Sequence, residues 1–347
     1  MTQLIVIGVL LLVMEKCYFR IAQTLNITDK PNLRSSHKIA TINGGGIVFL
    51  IGMWLFAAMY GTQYQWFIAG LSLIGGISFL DDLRPLPVRF RLLVHCIAMF
   101  FLIKQLAIFN LLEWWMIPIG LIAGVGITNA CNFMDGINGM TAANSLAVLL
   151  PLNFLNHQFE FISPHLLIIA TISVLIFAFF NFRKKAVCFA GDVGSITIAF
   201  ILFFAISQLI LKTHNFAYLG LLIVYIADSG MTILHRIKLG ENLGVAHRKH
   251  AYQIMANELR MPHRAVSAAY FIAQTAISVG LITMQSNQSL YLIAVAAALA
   301  IGYVLFMKRY FYLHVQYLES RTGAAEPVPT FPSWEGERTT ASSRSEG

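Results

Sequence analysis

Charge is what this sequence has least of. Asp, Glu, Lys and Arg make up 12% of its 347 residues, about half the share of a soluble domain. So small a supply cannot coat a water-facing surface of this size. Cysteine is also scarce, at four, which excludes a disulfide scaffold. Cys17, Cys96, Cys131 and Cys188 show no metal-ligand spacing. No internal repeat is visible, so the related halves of many transporters are missing. No Lys or Arg precedes the apolar run at 4–14 and no small-residue cleavage site follows it, so that run reads as an uncleaved span. What is abundant is apolar: 57% of the residues, with a mean hydropathy of +0.69. That excludes disorder for the chain as a whole and leaves a polytopic membrane protein.

A membrane helix needs about 20 mostly apolar residues. Candidate spans lie at 2–20, 44–60, 66–80, 90–109, 114–130, 139–155, 165–181, 194–212, 217–233, 265–284 and 289–307. The sequence therefore predicts an all-α, polytopic transmembrane helical bundle of about 11 spans. If the odd-numbered spans end on one face, that face holds every one of the 24 Lys and Arg except Lys16, Lys104 and Lys212. Basic residues mark the cytoplasmic side. The N-terminus is thus predicted outside and the C-terminus in the cytoplasm. Residues 1–310 read as one integral membrane domain and 311–347 as a cytoplasmic tail. From about Gly323 that tail is rich in Pro, Ser, Thr and Glu, a composition of disordered extensions.

The six Asp, at 29, 81, 82, 135, 192 and 228, all fall at inner loops or inner span ends. Charge against a bilayer is costly and marks functional positions. Asp81 and Asp82 in FLDDLRPLPVRFR are adjacent carboxylates, which repel unless a cation or proton neutralises them. They read either as a hard-cation site or as a loop pair capped by Arg84, Arg89 and Arg91. In NACNFMDGINGM, Asn129 and Asn132 share a helical face and can meet a base or sugar edge, while Asp135-Gly136 breaks the helix and Asn138 follows. In FAGDVGSITIAF, Asp192 lies between Gly191 and Gly194-Ser195 at a helix start, where free N–H groups favour anions. An Asp there either holds Mg²⁺ against phosphate or serves as an N-cap.

Two basic segments complete the set. HRIKLGENLGVAHRKHAYQ holds His247, Arg248 and His250. Zinc is a poor fit there, because no third ligand is nearby; donors for a diphosphate fit better, and attraction to anionic lipid is the plainer alternative. Asp228 reads equally as a partner for this patch and as a satisfied buried acid. DKPNLRSSHKIATINGGG holds Arg34 and Lys38 before a glycine run. Topology puts all these segments on one face, where carboxylates, cations and amides make a phosphoryl-transfer set.

The ordered motifs PNLRSSH, FLDD, NACNFMDGINGM, FAGDVGS and AHRKHAYQ resemble the polyprenyl-phosphate N-acetylhexosamine-1-phosphate transferase family, over residues 29 to about 255. This family includes the enzymes that initiate O-antigen and enterobacterial common antigen and the muramoyl-pentapeptide transferase of peptidoglycan synthesis. The resemblance implies transfer of a sugar-1-phosphate from a UDP-sugar to undecaprenyl phosphate, with Mg²⁺ or Mn²⁺ and release of UMP. It implies catalytic roles for Asp81, Asp82 and Asp135, with metal on Asp192 and Asp82. It also implies substrate contacts from Asn129, Asn132, Asn138, His247, Arg248, His250, Arg34 and Lys38. Asn138 stands where the family often has Asp, and IATIN replaces a Pro-Thr-Pro-like stretch. The RSSH and AHRxHxYQ forms are closer to the O-antigen-initiating branch.

The expected setting is the bacterial inner membrane, with the site on its cytoplasmic face and membrane lipid around it. No nucleic-acid partner is expected, and a homodimer is left open. A transporter or flippase of phosphorylated lipid or nucleotide sugar is the rival from another class. It predicts charges near span centres and on both faces, whereas the acids here cluster at one. A lipid-binding scaffold is disfavoured by the metal-type acids.

Overall fold

The computed structural model describes residues 2–29, 36, 40–61, 63–107, 115–245 and 247–322. They form helices α1 (Thr2–Thr24), α2 (Ile47–Tyr60), α3 (Gln65–Leu83), α4 (Val88–Gln105), α5 (Met116–Phe133), α6 (Met140–Phe159), α7 (Pro164–Asn181) and α8 (Gly191–Thr213). After a 3₁₀ turn at Phe216–Leu222 come α9 (Ile223–Lys238), α10 (Ala251–Asn257), α11 (His263–Thr283) and α12 (Gln288–Thr322). Strands β1 (Thr28–Asp29) and β2 (Thr41–Ile42) pair antiparallel. Among the described residues, each apolar segment read from the sequence overlaps one of these helices, and only α10 has no such counterpart. Six are long and apolar enough to cross a membrane: α3, α7, α8, α9 with its 3₁₀ entry, α11 and α12. The α2 helix and Ile117–Phe133 of α5 are shorter apolar helices. The protein is a multi-pass, predominantly helical membrane protein.

Helix α8 is central because it is apolar on every side. Its apolar window is 83% buried, against 11% for α12, which therefore faces outward. Helices α2, α3, α5 and α6 surround α8. Phe67 of α3 stacks between Phe204 and Phe200 of α8, with centroids 4.2 and 5.8 Å away. Turn residues punctuate the ends. Pro85 and Pro87 separate α3 from α4, since proline cannot continue a helix. Gly136 and Gly139 open the turn between α5 and α6.

At about 1.5 Å per residue, α12 is longer than the hydrocarbon core of about 30 Å, so its last turns project beyond it. It runs to Thr322, so the boundary expected at residue 310 falls within a helix. The tail from 323 onward lies outside the described residues. All four cysteines are free.

Candidate active site

The site forms where the glycine run before α2 meets the first turn of α8. Backbone pairing brings them together. Phe189 donates to Ile42 O at 2.8 Å, Gly45 to Phe189 O at 2.8 Å and Gly46 to Ala190 O at 3.0 Å. The Tyr18 hydroxyl of α1 donates to Asn43 O at 2.6 Å, and the Asn43 side chain donates to Asp82 Oδ1 at 2.8 Å. Asp82, on the last turn of α3, also accepts the N–H groups of Asp192 (3.0 Å) and Val193 (2.9 Å). The first N–H groups of a helix have no partner within it, and its dipole favours negative charge there. Asp82 thus caps α8 from another helix. Gly191 permits the approach. Its φ is +70°, and a Cβ there would lie 2.6 Å from Asp82 Oδ2 and 2.8 Å from Gly44 N.

Beside this junction is a cavity of about 380 Å³ with polar walls. Asp82, Asp135 and Asp192 line it, with Asn43, Asn132, Asn138, Asn181, Ser195, Gln253 and His263; Asp29 and Ser36 complete its rim. Asp135, in the turn between α5 and α6, accepts the Thr141 hydroxyl at 2.5 Å. Burial pushes its pKa up to about 6, the Thr141 hydrogen bond opposes that, and the charge of Asp192 adds to it. Asp192 receives a hydrogen bond from Asn132 and lies 3.3 Å from Arg91 Nη1.

The donor chemistry tests the expected cation. The acids, amides and hydroxyl of this wall offer hard oxygens, as Mg²⁺ requires. No group of three or more His, Cys, Asp or Glu at ligand distances exists among the described residues. Mg²⁺ commonly binds through one or two carboxylates plus substrate phosphates and its own waters. Asp192 and Asp135, within electrostatic reach of each other across the cavity, fit that mode. Asp82 fits it poorly, because three N–H donors already occupy its carboxylate.

The structure separates several of the expected residues from this cavity. Consecutive residues on a helix point about 100° apart, so Asp82 turns to the first N–H groups of α8 while Asp81 turns to Arg91 of α4, which bridges it to Asp192 just outside the cavity wall. Asp81 forms an ion pair with Arg91 and accepts Leu86 N at 2.6 Å. Asn129 donates to Val125 O of its own helix at 2.8 Å, and it is Asn132 that reaches the cavity. Asn138 lines the cavity and also donates to Arg183 O at 3.0 Å. An ionised Asp would set a carboxylate against that carbonyl, which is a physical reason for Asn at this position.

None of His247, Arg248 and His250 lines the cavity; acids elsewhere claim Arg248 and His250. Arg248, 6% exposed, pairs with Glu258 at 3.0 Å, and Glu258 also binds His314 of α12 at 2.9 Å. His250, 2% exposed, lies 3.4 Å from Asp228. His247 stacks on His250 with centroids 5.0 Å apart. Burial, and then the charges of His250, Arg236 and Lys249, lower its pKa to about 3, leaving it neutral near pH 7. Lys249 pairs with Glu241. Asp228 is both a satisfied buried acid and a partner of the basic segment. Arg34 and Lys38 lie outside the described residues.

Asn43, Asn181, Gln253 and His263 escape the sequence reading. The traces they leave are slight: an Asn ahead of three glycines, an Asn ending the run FAFFN, a Gln after AHRKHAY, and a His opening α11. Asn181 accepts Gly139 N at 2.7 Å and donates to Cys188 O at 2.8 Å, tying the α5–α6 turn to the segment before α8.

Glycosyl transferase family 4 matches residues 64–210. A probable undecaprenyl-phosphate N-acetylglucosaminyl 1-phosphate transferase of Bacillus subtilis is 27% identical over 199 residues, 52% of this chain and 55% of that protein. A phospho-N-acetylmuramoyl-pentapeptide-transferase of Thermotoga maritima is 27% identical over 191 residues, 50% of this chain and 62% of that protein. Another, of Enterococcus faecalis, is 26% identical over 253 residues, 62% of this chain and 76% of its own length. The chain thus spans a little over half the length of the first two. The matched stretch holds Asp82, Asn132, Asp135 and Asp192, which line the cavity, and Asp81, which pairs with Arg91 beside it. Motif order, site and matches point the same way: the chain is similar to an undecaprenyl-phosphate sugar-phosphate transferase and to phospho-N-acetylmuramoyl-pentapeptide-transferases, and its residues 64–210 match glycosyl transferase family 4.

Proposed function

We propose that this protein is a glycosyl-1-phosphate transferase of the bacterial inner membrane. It moves an N-acetylhexosamine-1-phosphate, by default that of GlcNAc, from a UDP-sugar to undecaprenyl phosphate. The products are a lipid-linked diphospho-sugar and UMP, and the lipid product initiates a cell-surface polysaccharide of the O-antigen type. The observation that carries this reading is the convergence of Asp82, Asn132, Asp135 and Asp192, from the ends of three different helices and a turn, on one cavity. The reading has the chain cross the membrane about 11 times, with the N-terminus outside and the C-terminus in the cytoplasm. The cavity then opens at the cytoplasmic face, because the loops at that end hold most of the Lys and Arg.

Phosphoryl transfer asks a protein chiefly for positioning and charge neutralisation. An oxygen of the lipid phosphate bonds to the phosphorus that carries the sugar. The bond from that phosphorus to the bridging oxygen breaks, and UMP leaves with the electron pair. Asp192 and Asp135 would hold Mg²⁺, or Mn²⁺ in its place, which supplies neutralising charge to the diphosphate when bound. Asn132 orients Asp192 by its hydrogen bond. Arg91 sits between Asp81 and Asp192 and offsets both charges. Burial holds the Asp135 carboxyl up to about 6, and the charge of an arriving Mg²⁺ would draw it into the ionised form that binds the cation. Asn138, Asn181 and Gln253 present amides to the sugar and uridine.

The test is purified protein with undecaprenyl phosphate and a panel of UDP-sugars, read as UMP release. One sugar is expected to support turnover well above the rest. No UMP with any sugar, alongside substrate movement across liposomes, would replace the enzyme with a flippase or transporter.

A further inference from the structure

Helix α10 and its flanks carry chemistry that the cavity itself does not use. Asp228 of α9, 5% exposed, accepts the N–H groups of Ala251 at 3.0 Å and Tyr252 at 3.4 Å. It also accepts the hydroxyls of Tyr270 at 2.6 Å and Thr232 at 3.2 Å, and His250 lies 3.4 Å away. These contacts fix the start of α10 against α9 and α11. Past its other end, Glu258 binds Arg248 and His314. Anchored at both ends, α10 holds Gln253 at the cavity wall and Tyr252 beneath the turn that carries Asp135.

Tyr252 is fully buried and donates its hydroxyl to Phe133 O at 2.8 Å. Phe133 is the last residue of α5, so its carbonyl has no acceptor role within the helix. Gly136 lies against the hydroxyl end of the ring. A Cβ there would overlap Tyr252 Oη and lie 3.1 Å from Cζ and Cε2. Phe133 and Gly136 bracket Asp135. We propose that Tyr252 is a positioning residue whose hydroxyl and ring set the height of the 133–136 turn and thereby hold the Asp135 carboxylate at the cavity. Tyr252 does not line the cavity, so it acts only through that turn. The inference rests on reading the cavity as the active site.

The test uses the full-length purified protein and two readouts. The first is product formation from a UDP-sugar and undecaprenyl phosphate. Tyr252→Phe removes one buried hydrogen bond and is expected to lower kcat about tenfold with KM little changed. Gly136→Ala drives a methyl group into the hydroxyl and is expected to cost more. Gly136→Ala combined with Tyr252→Phe removes the clashing atom, so the double variant is expected to be more active than Gly136→Ala alone. A role limited to general stability would give additive losses instead.

The second readout is hydrogen exchange of the 134–139 amides without substrates, expected to be faster in Tyr252→Phe than in the wild type. Unchanged exchange, with a double variant no better than Gly136→Ala, would overturn the inference. If the wild type makes no product, the proposed function fails, while the exchange result still judges the positioning role on its own.

Discussion

The carboxylate of Asp82 accepts the main-chain N–H of Asp192 at 3.0 Å, so one acid of the site holds the backbone of another. Together with its bond to Val193 N, this gives the two acids different places: Asp82 fixes the start of α8, and the Asp192 side chain lines the cavity. Asp82→Ala removes a charge-assisted cap. It is expected to lower stability by about 1–3 kcal/mol, read as a lower unfolding temperature in detergent. Asp192→Asn is expected to abolish turnover while expression and unfolding temperature stay at the wild-type level. Near-normal activity of Asp192→Asn would remove Asp192 from the site.

Gly191→Ala tests the same junction from the backbone. A methyl group at φ +70° is strained, and this one would also press on Asp82 Oδ2 and Gly44 N. The variant is expected to lose activity and about 1–3 kcal/mol of stability. Wild-type melting and turnover would refute the cap geometry.

Glu258 is the shared acid of a buried cluster, with Arg248 at 3.0 Å and His314 at 2.9 Å. Removing one partner of such a group strands the others, at a cost of about 3–5 kcal/mol. Glu258→Gln should therefore melt far below the wild type, whereas Glu160→Gln, in the exposed turn after α6, should not.

His247 makes stability depend on pH. Its pKa falls from 6.5 to about 3 on folding, mainly through burial. The unfolded chain therefore binds its proton first as pH drops. The contribution is fully present above about 6.5 and is lost progressively as pH falls toward about 3. Between pH 7 and about pH 5, the wild type should lose more unfolding temperature than His247→Gln. Parallel curves would contradict the buried, neutral state.

How much of this is legible in the residues differs from segment to segment. The gathering of Asp82, Asn132, Asp135 and Asp192 is legible, because apolar periods fix the helices and alternating topology puts their polar ends on one face. The divergence of Asp81 from Asp82 is not, since only the packing of α4 against α3 decides which neighbour turns which way. The basic segment announces its charge. Its neutralisation by Asp228, Glu241 and Glu258 stays hidden, because α9, the loop and α10 must fold before those acids meet it. Asn181 acts on main-chain groups, for which no side-chain pattern exists, and Asn43 meets Asp82 only once the glycine run has docked on α8.

The central claim is that phosphate travels with the sugar. It is tested most directly by supplying UDP-GlcNAc labelled with ³²P at the phosphate that bears the sugar, together with undecaprenyl phosphate and Mg²⁺, and extracting the lipid. The account predicts that the label enters the organic phase with unlabelled UMP left in water, and that Asp192→Asn prevents it. Label that stays in the aqueous phase as UDP while GlcNAc enters the lipid, or remains wholly in UDP-GlcNAc with this and every other UDP-sugar, would contradict it.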